Sequence, residues 1–218
     1  IHEGLVQSWK DIFPKKGEIH FAGALENNED TGTLQYLAST AMEAGFSTRV
    51  LDMQALDLQN GRFFDPAGEL VNRCFKLYPW EWMVDESPDG CLAEMEWLEP
   101  IWKLVMSNKA ILATLYELFP DSPYVLPCYL SRPRSGLFCK KPVFSREGHN
   151  VSVVDIRDWE EYVRIAETEG DYNTGAYVYQ EYVEPTAYSG RYPVIGSWII
   201  GGEAAGIGIR ENRMEVTE

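Results

Sequence analysis

Positive charge is what this sequence has least of. Its 218 residues hold 34 aspartates and glutamates against 19 lysines and arginines, for a net charge of −15. Nucleic acids and anionic membranes grip proteins through clustered Lys and Arg, so neither is expected as a partner. Long apolar runs are missing too; none approaches the ~20 residues that span a bilayer. The opening Ile1-His2-Glu3-Gly4 lacks the basic and apolar regions of a signal peptide. Ile1 stands where an initiator Met would, and an upstream segment is expected. Cysteine and histidine are sparse. Cys74, Cys91, Cys128 and Cys139 include no C-x-x-C pair, and His2, His20 and His149 do not pair at helical spacing. That argues against a zinc site or a redox motif. Reduced thiols in the cytoplasm are the expected setting. Repeats and low-complexity tracts are absent.

A real core is affordable, since 45% of residues are hydrophobic and 13% aromatic. Leu5, Val6, Trp9, Ile12 and Phe13 fall at helical spacing and predict a helix over 1–13, ended by Pro14 and Gly17. Glu18 to Leu25 reads as a strand. Thr31 is placed to cap a helix that carries Leu34, Leu37, Ala38, Ala41 and Met42 and stops at Gly45. Ser47 to Asp52 is a second strand, so the segment predicts a β-α-β unit with a parallel pair. Leu70 to Tyr78 is a third strand, and Asp85 to Gly90 the best internal boundary. Ser107 is expected to cap a helix bearing Ile111, Leu112, Leu115, Leu118 and Phe119, stopped by Pro120. Strands are expected at 137–143, 151–156, 176–183, 192–200 and 203–210, with one helix near 158–168. The first half thus reads as α/β and the second as a β-rich α+β unit.

Where the scarce cations gather is therefore informative. Cys139-Lys140-Lys141-Pro142 is a strand ending in a lysine and a proline, followed by the polar turn Ser145-Arg146-Glu147-Gly148-His149-Asn150. Two cations and a glycine within eight residues suit an anionic ligand such as a nucleotide phosphate. The proline places Lys141 on an edge strand or a strand start. An ordinary edge lysine that discourages aggregation is the competing reading. Lys109 sits in the first turn of the Ser107 helix, where a cation opposes the helix dipole by ~0.3–1 kcal/mol. It is either a solvated lysine or a second contact to an anion. Asn27-Asn28-Glu29-Asp30 opens a helix, and its carboxylates either cap it or bind an ammonium group. Tyr177 to Val183 reads as a half-buried strand, Gly201-Gly202 as a hairpin turn, and Trp80, Trp82, Trp97 and Trp102 as core.

Taken together, several segments resemble the synthetase domain of glutathionylspermidine synthase and its stand-alone relatives, which have an ATP-grasp fold. They are Phe75-Lys76-Leu77-Tyr78-Pro79-Trp80-Glu81, Glu99-Pro100-Ile101-Trp102, Ser107 to Leu112, Leu118-Phe119-Pro120, Lys141-Pro142, Tyr179-Gln180-Glu181, and Gly201-Gly202 through Arg210. The resemblance runs in one order over nearly the whole chain. It implies an α/β, pre-ATP-grasp-like subdomain over 1–98 on the acid-substrate side and a β-rich ATP-grasp part over 99–218, incomplete, with a lid at about 103–175.

The activity it implies is ATP-dependent joining of a carboxylate to an amine, through an acyl phosphate, with Mg²⁺. Lys109 and Lys141 would hold ATP phosphates, and Arg146, Glu147, Gly148, His149 and Asn150 would form the lid loop. Gln180, Glu181, Tyr182 and Val183 would line the adenine pocket. Arg146 and Arg210 would neutralise the transferring phosphoryl group. Glu29 and Asp30 fall where the family contacts its thiol-peptide substrate. The partners implied are a small-molecule or short-peptide carboxylate and an amine such as a polyamine. The chain departs from the synthase at Leu77 (threonine there), at Val194 (glutamine there) and at Glu147, as a stand-alone relative without an amidase domain would. The family's Mg²⁺ ligands are expected upstream of Ile1, so none is assigned here, and the family's closing segment looks cut short after Glu218. A non-catalytic nucleotide-binding or regulatory module is the alternative; an Asp, Glu and Asn cluster upstream would favour the enzyme. As a fragment, the 218 residues are expected not to turn over ATP. A phosphate-release assay on the isolated chain checks this, and measurable ATPase or ligase turnover would refute it.

Overall fold

In the computed structural model, residues 1–158, 161–172 and 175–213 are described. They divide into two compact units, Ile1–Leu104 with Ser197–Ile207, and Val105–Gly196 with Gly208–Glu218. Among the described residues no helix is long and apolar enough to cross a membrane.

The first unit is built on a parallel sheet. After helix α1 (His2–Ile12) come strand β1 (Glu18–Gly23), helix α2 (Asn28–Glu43) and strand β2 (Ser47–Asp52). Short strands β3 (Asp57–Gln59), β4 (Arg62–Phe64) and β5 (Leu70–Val71) form an antiparallel flap. Strand β6 (Arg73–Leu77), helix α3 (Trp80–Glu86) and strand β7 (Glu96–Leu98) complete it, with sheet order β2-β1-β6-β7, all parallel. Strand β1 lies in the middle, and five of its six residues are buried, as a strand covered on both faces requires. Trp9 packs edge-on against Phe21 and Phe75 at 5.5 and 6.1 Å between ring centres. Its indole N–H donates to Thr40 Oγ1 at 2.9 Å, tying α1 to α2. Gly23 ends β1 where a Cβ would meet Leu34 Cδ1 at 2.9 Å and the Leu77 carbonyl at 3.0 Å. From β1 the chain goes first to β2 on one side and later to β6 on the other. The carboxyl ends of these strands therefore flank a topological switch point, the usual place for a ligand in such sheets.

The second unit has helix α4 (Ala110–Leu118) and strands β8 (Cys128–Tyr129), β9 (Gly136–Pro142), β10 (Ser152–Ile156), β11 (Tyr162–Glu167) and β12 (Tyr177–Glu181). They form an antiparallel sheet in the order β11-β10-β9-β12-β8. Strands β13 (Tyr192–Ile200) and β14 (Glu203–Asn212) make a hairpin whose turn end, Ser197–Ile207, is counted with the first unit and the remainder with the second. Its turn residues Gly201 and Gly202 have φ of +60° and +86°, the left-handed pair that a tight hairpin turn demands. The mixed architecture, parallel in the first unit and antiparallel in the second, agrees with the reading of an α/β half followed by a β-rich half.

Six local expectations change. The helix near 158–168 is strand β11 over its described part; Tyr162, Val163 and Ile165 favour a pleated surface, and Tyr162 pairs with Ile156 of β10. Residues 159 and 160 lie outside the described residues. The α2 cap is Asn27, whose side chain accepts from the N–H groups of Glu29 and Asp30 at 2.8 and 3.4 Å. Thr31 is already inside the helix, its hydroxyl donating to the Leu25 carbonyl at 3.1 Å. At α4 the cap position is Lys109, two residues past the expected Ser107 and without a side-chain cap bond; just before it Asn108 Oδ1 accepts from Ala110 N at 3.0 Å. The strand expected over Leu70–Tyr78 is two strands parted at Asn72, β5 turning to the flap and β6 to the parallel sheet. Of the four tryptophans read as core, Trp80 is buried, while Trp82 and Trp102 are 38% and 59% exposed. The turn Asp85 to Gly90 lies within the first unit.

Because Asn27 satisfies two otherwise orphaned N–H groups of α2, Asn27→Ala is expected to cost about 1 kcal/mol. Urea unfolding of the two proteins measures this.

Candidate functional site

The register of β9 decides which side chains meet. Strand residues alternate between faces, so Cys139 and Lys141 share one face and Phe138 and Lys140 the other. Strand β12 pairs with β9 so that Gln180 lies opposite Cys139 and Val178 opposite Lys141. Gln180 thus joins the Lys141 face, and Lys141 Nζ donates to Gln180 Oε1 at 2.7 Å. An ammonium has only donors, which fixes the amide oxygen on that side. No carboxylate pairs with Lys141 among the described residues. The strand itself is not an edge: β9 lies between β10 and β12, which corrects the reading from Pro142. Pro142 is its last residue, so the missing N–H interrupts no ladder beyond it; pairing passes on through Val143 N, which donates to the Ala176 carbonyl at 2.9 Å.

On this face lies a cleft of about 380 Å³. Cys139, Val151 and Val153 line its sheet side, Lys109 and Lys141 bring charge, and Gln180, Glu181, Tyr182 and Val183 run along another wall. Lys109 stands just before α4. Its N–H bonds the Val143 carbonyl at 2.9 Å, and its ammonium donates to the Ser145 carbonyl and, at 2.8 Å, to Ser145 Oγ. One lysine thereby joins the start of α4 to the start of the 145–150 loop.

That loop is held at its far end as well. Glu147, Gly148 and Asn150 have φ of 52°, 73° and 55°. Left-handed backbone at two residues other than glycine persists only where the surroundings enforce it. Asn150 supplies part of this: Nδ2 donates to the Gly170 carbonyl at 2.8 Å and Oδ1 accepts from Tyr172 N at 2.8 Å. The Gly148 carbonyl accepts from Thr168 Oγ1, and the His149 ring packs against Tyr172. Gly148 lines the cleft, while the Asn150 side chain turns toward Gly170 and Tyr172. The Arg146 carbonyl accepts from His149 N at 2.9 Å, closing the turn. Along the wall formed by Gln180 to Val183, Glu181 N bonds the Pro127 carbonyl at 2.8 Å and Tyr182 N the Leu137 carbonyl at 3.0 Å.

The remaining sequence candidates stand elsewhere. Arg210 is exposed on β14 and does not line this cleft. Glu29 and Asp30 belong to the first unit, in the first turn of α2 beyond the carboxyl end of β1. Leu77 ends β6 and Val194 lies on β13. Among the described residues no group of three or more His, Cys, Asp or Glu side chains is placed to hold a metal ion. All four cysteines are free thiols.

Lys76 carried no role in the sequence reading. It is 8% exposed, donates to the Tyr78 carbonyl at 2.6 Å and lies 3.9 Å from the centre of the Trp80 ring. Burial pushes its pKa down to about 8. Beside it, Tyr78 Oη donates to Glu86 Oε2 at 2.6 Å, and burial followed by this bond pushes the phenol up to about 12. The clue was available: Lys76 alternates with buried Cys74 and so falls on the apolar face of its strand.

With this geometry in place, comparison with known proteins is informative. The family model described as glutathionylspermidine synthase pre-ATP-grasp matches residues 1–218. A protein of Haemophilus influenzae named as an acid–amine ligase is 33% identical over the whole chain. Trypanothione synthetase of Crithidia fasciculata is 27% identical over 92% of it. The bifunctional glutathionylspermidine synthetase/amidase of Escherichia coli is 27% identical over 95% of it. The chain spans 58%, 34% and 38% of these relatives' own lengths.

Burial of Lys76 has a consequence for stability. Between pH of about 8 and its ordinary value of 10.5 the unfolded chain keeps the Lys76 proton and the folded chain releases it. Stability must therefore rise with pH in that window, and the full cost is present below it. Unfolding free energies of wild type and Lys76→Met, measured from pH 7 to 10.5, should differ by an amount that shifts by up to about 3 kcal/mol across the window. Taking the difference removes the thiols and phenols that titrate in the same range.

Proposed function

The chain belongs to the glutathionylspermidine synthase family, and on that premise we propose that it forms part of an ATP-dependent ligase joining a carboxylate to an amine through an acyl phosphate. One observation carries the nucleotide half of this reading. In a chain of net charge −15, Lys109 and Lys141 line one cleft, and among the described residues the Lys141 ammonium is held by a neutral amide oxygen. A lysine so placed keeps its charge for an anion. The cleft's volume of about 380 Å³ falls within the usual range for small-ligand sites. The names of the relatives, ligase and synthetase, support the reaction class.

In this reading ATP supplies the phosphoryl group that turns a carboxylate into an acyl phosphate, which an amine then displaces. Lys109 and Lys141 bind phosphate oxygens, Lys109 exchanging its bonds to Ser145 for them. The Val183 N–H makes no hydrogen bond among the described residues and faces the base as a donor, while Gln180, Glu181 and Tyr182 shape the wall around it. Gly148 lets the 145–150 loop come close to the phosphates, with Arg146, Glu147, His149 and Asn150 completing it. Arg146 and Arg210 neutralise charge on the transferring group. Glu29 and Asp30 receive the amino end of the acid substrate. The described residues do not assemble a carboxylate set for Mg²⁺. A small acid, an amine of the polyamine class and a cytoplasmic setting belong to the same proposal.

Titrating ATP into the protein by calorimetry tests it. Lys141→Ala should weaken binding by about tenfold or more, the loss of one hydrogen bond to a charged group. Unchanged affinity removes Lys141 from the phosphate site.

A further inference from the structure

A cavity of about 790 Å³ lies in the first unit, where the amino ends of β1, β6 and β7 meet the flap. Glu29 and Asp30 stand beyond the opposite, carboxyl end of β1. Glu18 and His20 of β1 line the cavity, and Leu70 and Met95 give it apolar wall.

His20 is the unusual member. Its side chain is 2% exposed, it lines the cavity, and neither ring nitrogen has a hydrogen-bond partner. The carboxylate oxygens that face Nε2, Glu18 Oε2 and Asp65 Oδ2, stand 3.8 and 3.9 Å away, too far for a hydrogen bond. Those carboxylates are held by Arg49 instead. It donates to Glu18 Oε1 at 2.9 Å, to Asp65 Oδ2, and to Glu69 Oε2 at 2.6 Å. Burial lowers the pKa of His20 from 6.5, so at neutral pH the ring is uncharged and offers one donor and one acceptor.

Most charge at the cavity's rim is already paired. Arg62 meets Glu94 at 2.9 Å and Arg73 meets Glu96 at 2.7 Å. Lys16, on the same rim, takes no carboxylate among the described residues. Its ammonium donates to the Ala44 carbonyl and lies 4.4 Å from the centre of the Phe46 ring. Neither neighbour cancels its charge, and an ammonium has three protons to give. The groups left to serve a ligand are thus of both kinds: acceptors at Glu18 Oε2 and the bare nitrogen of His20, donors at Lys16. A ligand of one sign meets half of this set. A ligand that carries both an ammonium and a carboxylate meets all of it.

We propose that this cavity binds a small zwitterion of the amino-acid or dipeptide class. Its ammonium is directed to Glu18 and His20, its carboxylate to Lys16, and its apolar side chain to Leu70 and Met95. The volume falls within the usual range for small-ligand sites. The site is independent of the nucleotide reading of the cleft, because all of these residues belong to the first unit.

Amide NMR shifts on titration with alanyl-leucine, its N-acetylated form, its C-terminal amide and free leucine provide the test. Leu70 and Met95 report on this cavity, Gly148 and Val151 on the cleft of the second unit. The free zwitterions should shift the cavity reporters, the tighter of the two naming the length of the ligand. Blocking either end of the dipeptide should weaken binding by about tenfold, the loss of one hydrogen bond to a charged group. Lys16→Met should weaken it by about as much, with Lys16→Arg retaining it. The ring-nitrogen shifts of His20 should move on binding, and His20→Leu gives a second, independent loss. Where His20→Leu does not fold, the Lys16 variants and the blocked peptides decide. The proposal fails if neither zwitterion moves the cavity reporters. It fails equally if the acetylated and amidated peptides bind as tightly as the parent, or if Lys16→Met binds like wild type.

Discussion

The pairing of β9 with β12 is the constraint on which the second unit's chemistry depends. It sets Gln180 opposite Cys139 and so within reach of Lys141, whose ammonium it accepts at 2.7 Å. A slip of one residue would send Lys141 to the reverse face and Lys140 into the cleft. Two features guard against the slip. Phe138, Val154 and Ile156 are buried together, so moving either strand by one position would expose an apolar row. On the cleft side, Val178 packs with Ala113 and Cys128 beneath α4. The hydrophobic pattern that pins the register is thus what assigns each lysine its face.

Different physics governs the first unit. Its parallel sheet is buried on both sides, which leaves little room for polar groups, and those it does hold are costly. His20 is 1% exposed with neither ring nitrogen hydrogen-bonded; its Nε2 stands 3.8 Å from Glu18 and 3.9 Å from Asp65, and burial lowers its pKa despite them. Lys76, at the other end of the sheet, is compensated by a carbonyl and a ring face. The carboxyl end, where Gly23 allows α2 and β6 to approach β1 closely, is where the chain reverses its order of strands. Glu29 and Asp30 stand there because Asn27 starts the helix there, so capping and a substrate contact are compatible roles for one turn.

Much of this was legible in the sequence because it follows from periodicity. Strand β2 begins and ends where alternation and flanking residues place it, at Ser47 and Asp52. The misreadings share a cause: local chemistry with two outcomes, decided by tertiary neighbours. Tyr162 to Glu167 is polar and apolar in a mix that suits a helix until β10 offers an antiparallel partner. Thr31 and Asn27 can both cap, and the extended backbone of Asn27, at φ −86° and ψ 116°, settles which does. Pro142 reads as an edge signal because its missing N–H matters only where the ladder continues, and here the strand ends with it. The links from Lys109 to Ser145 and from Lys141 to Gln180 join residues 36 and 39 apart, beyond any pattern of spacing.

Charge economy connects the two faces of the sheet. With 34 acids to 19 bases, carboxylates are plentiful, and Arg49, Arg62, Arg73, Lys103, Arg157, Arg164 and Arg191 pair with them. Surface pairs of that kind contribute little individually, typically ~0–1 kcal/mol, but they neutralise. The lysines of β9 are held differently. Lys141 is held by an amide oxygen and Lys140 by a tyrosine ring, both uncharged acceptors that fix a cation in place without cancelling it. The strand's two-residue period is what gives the two neighbouring lysines two different faces.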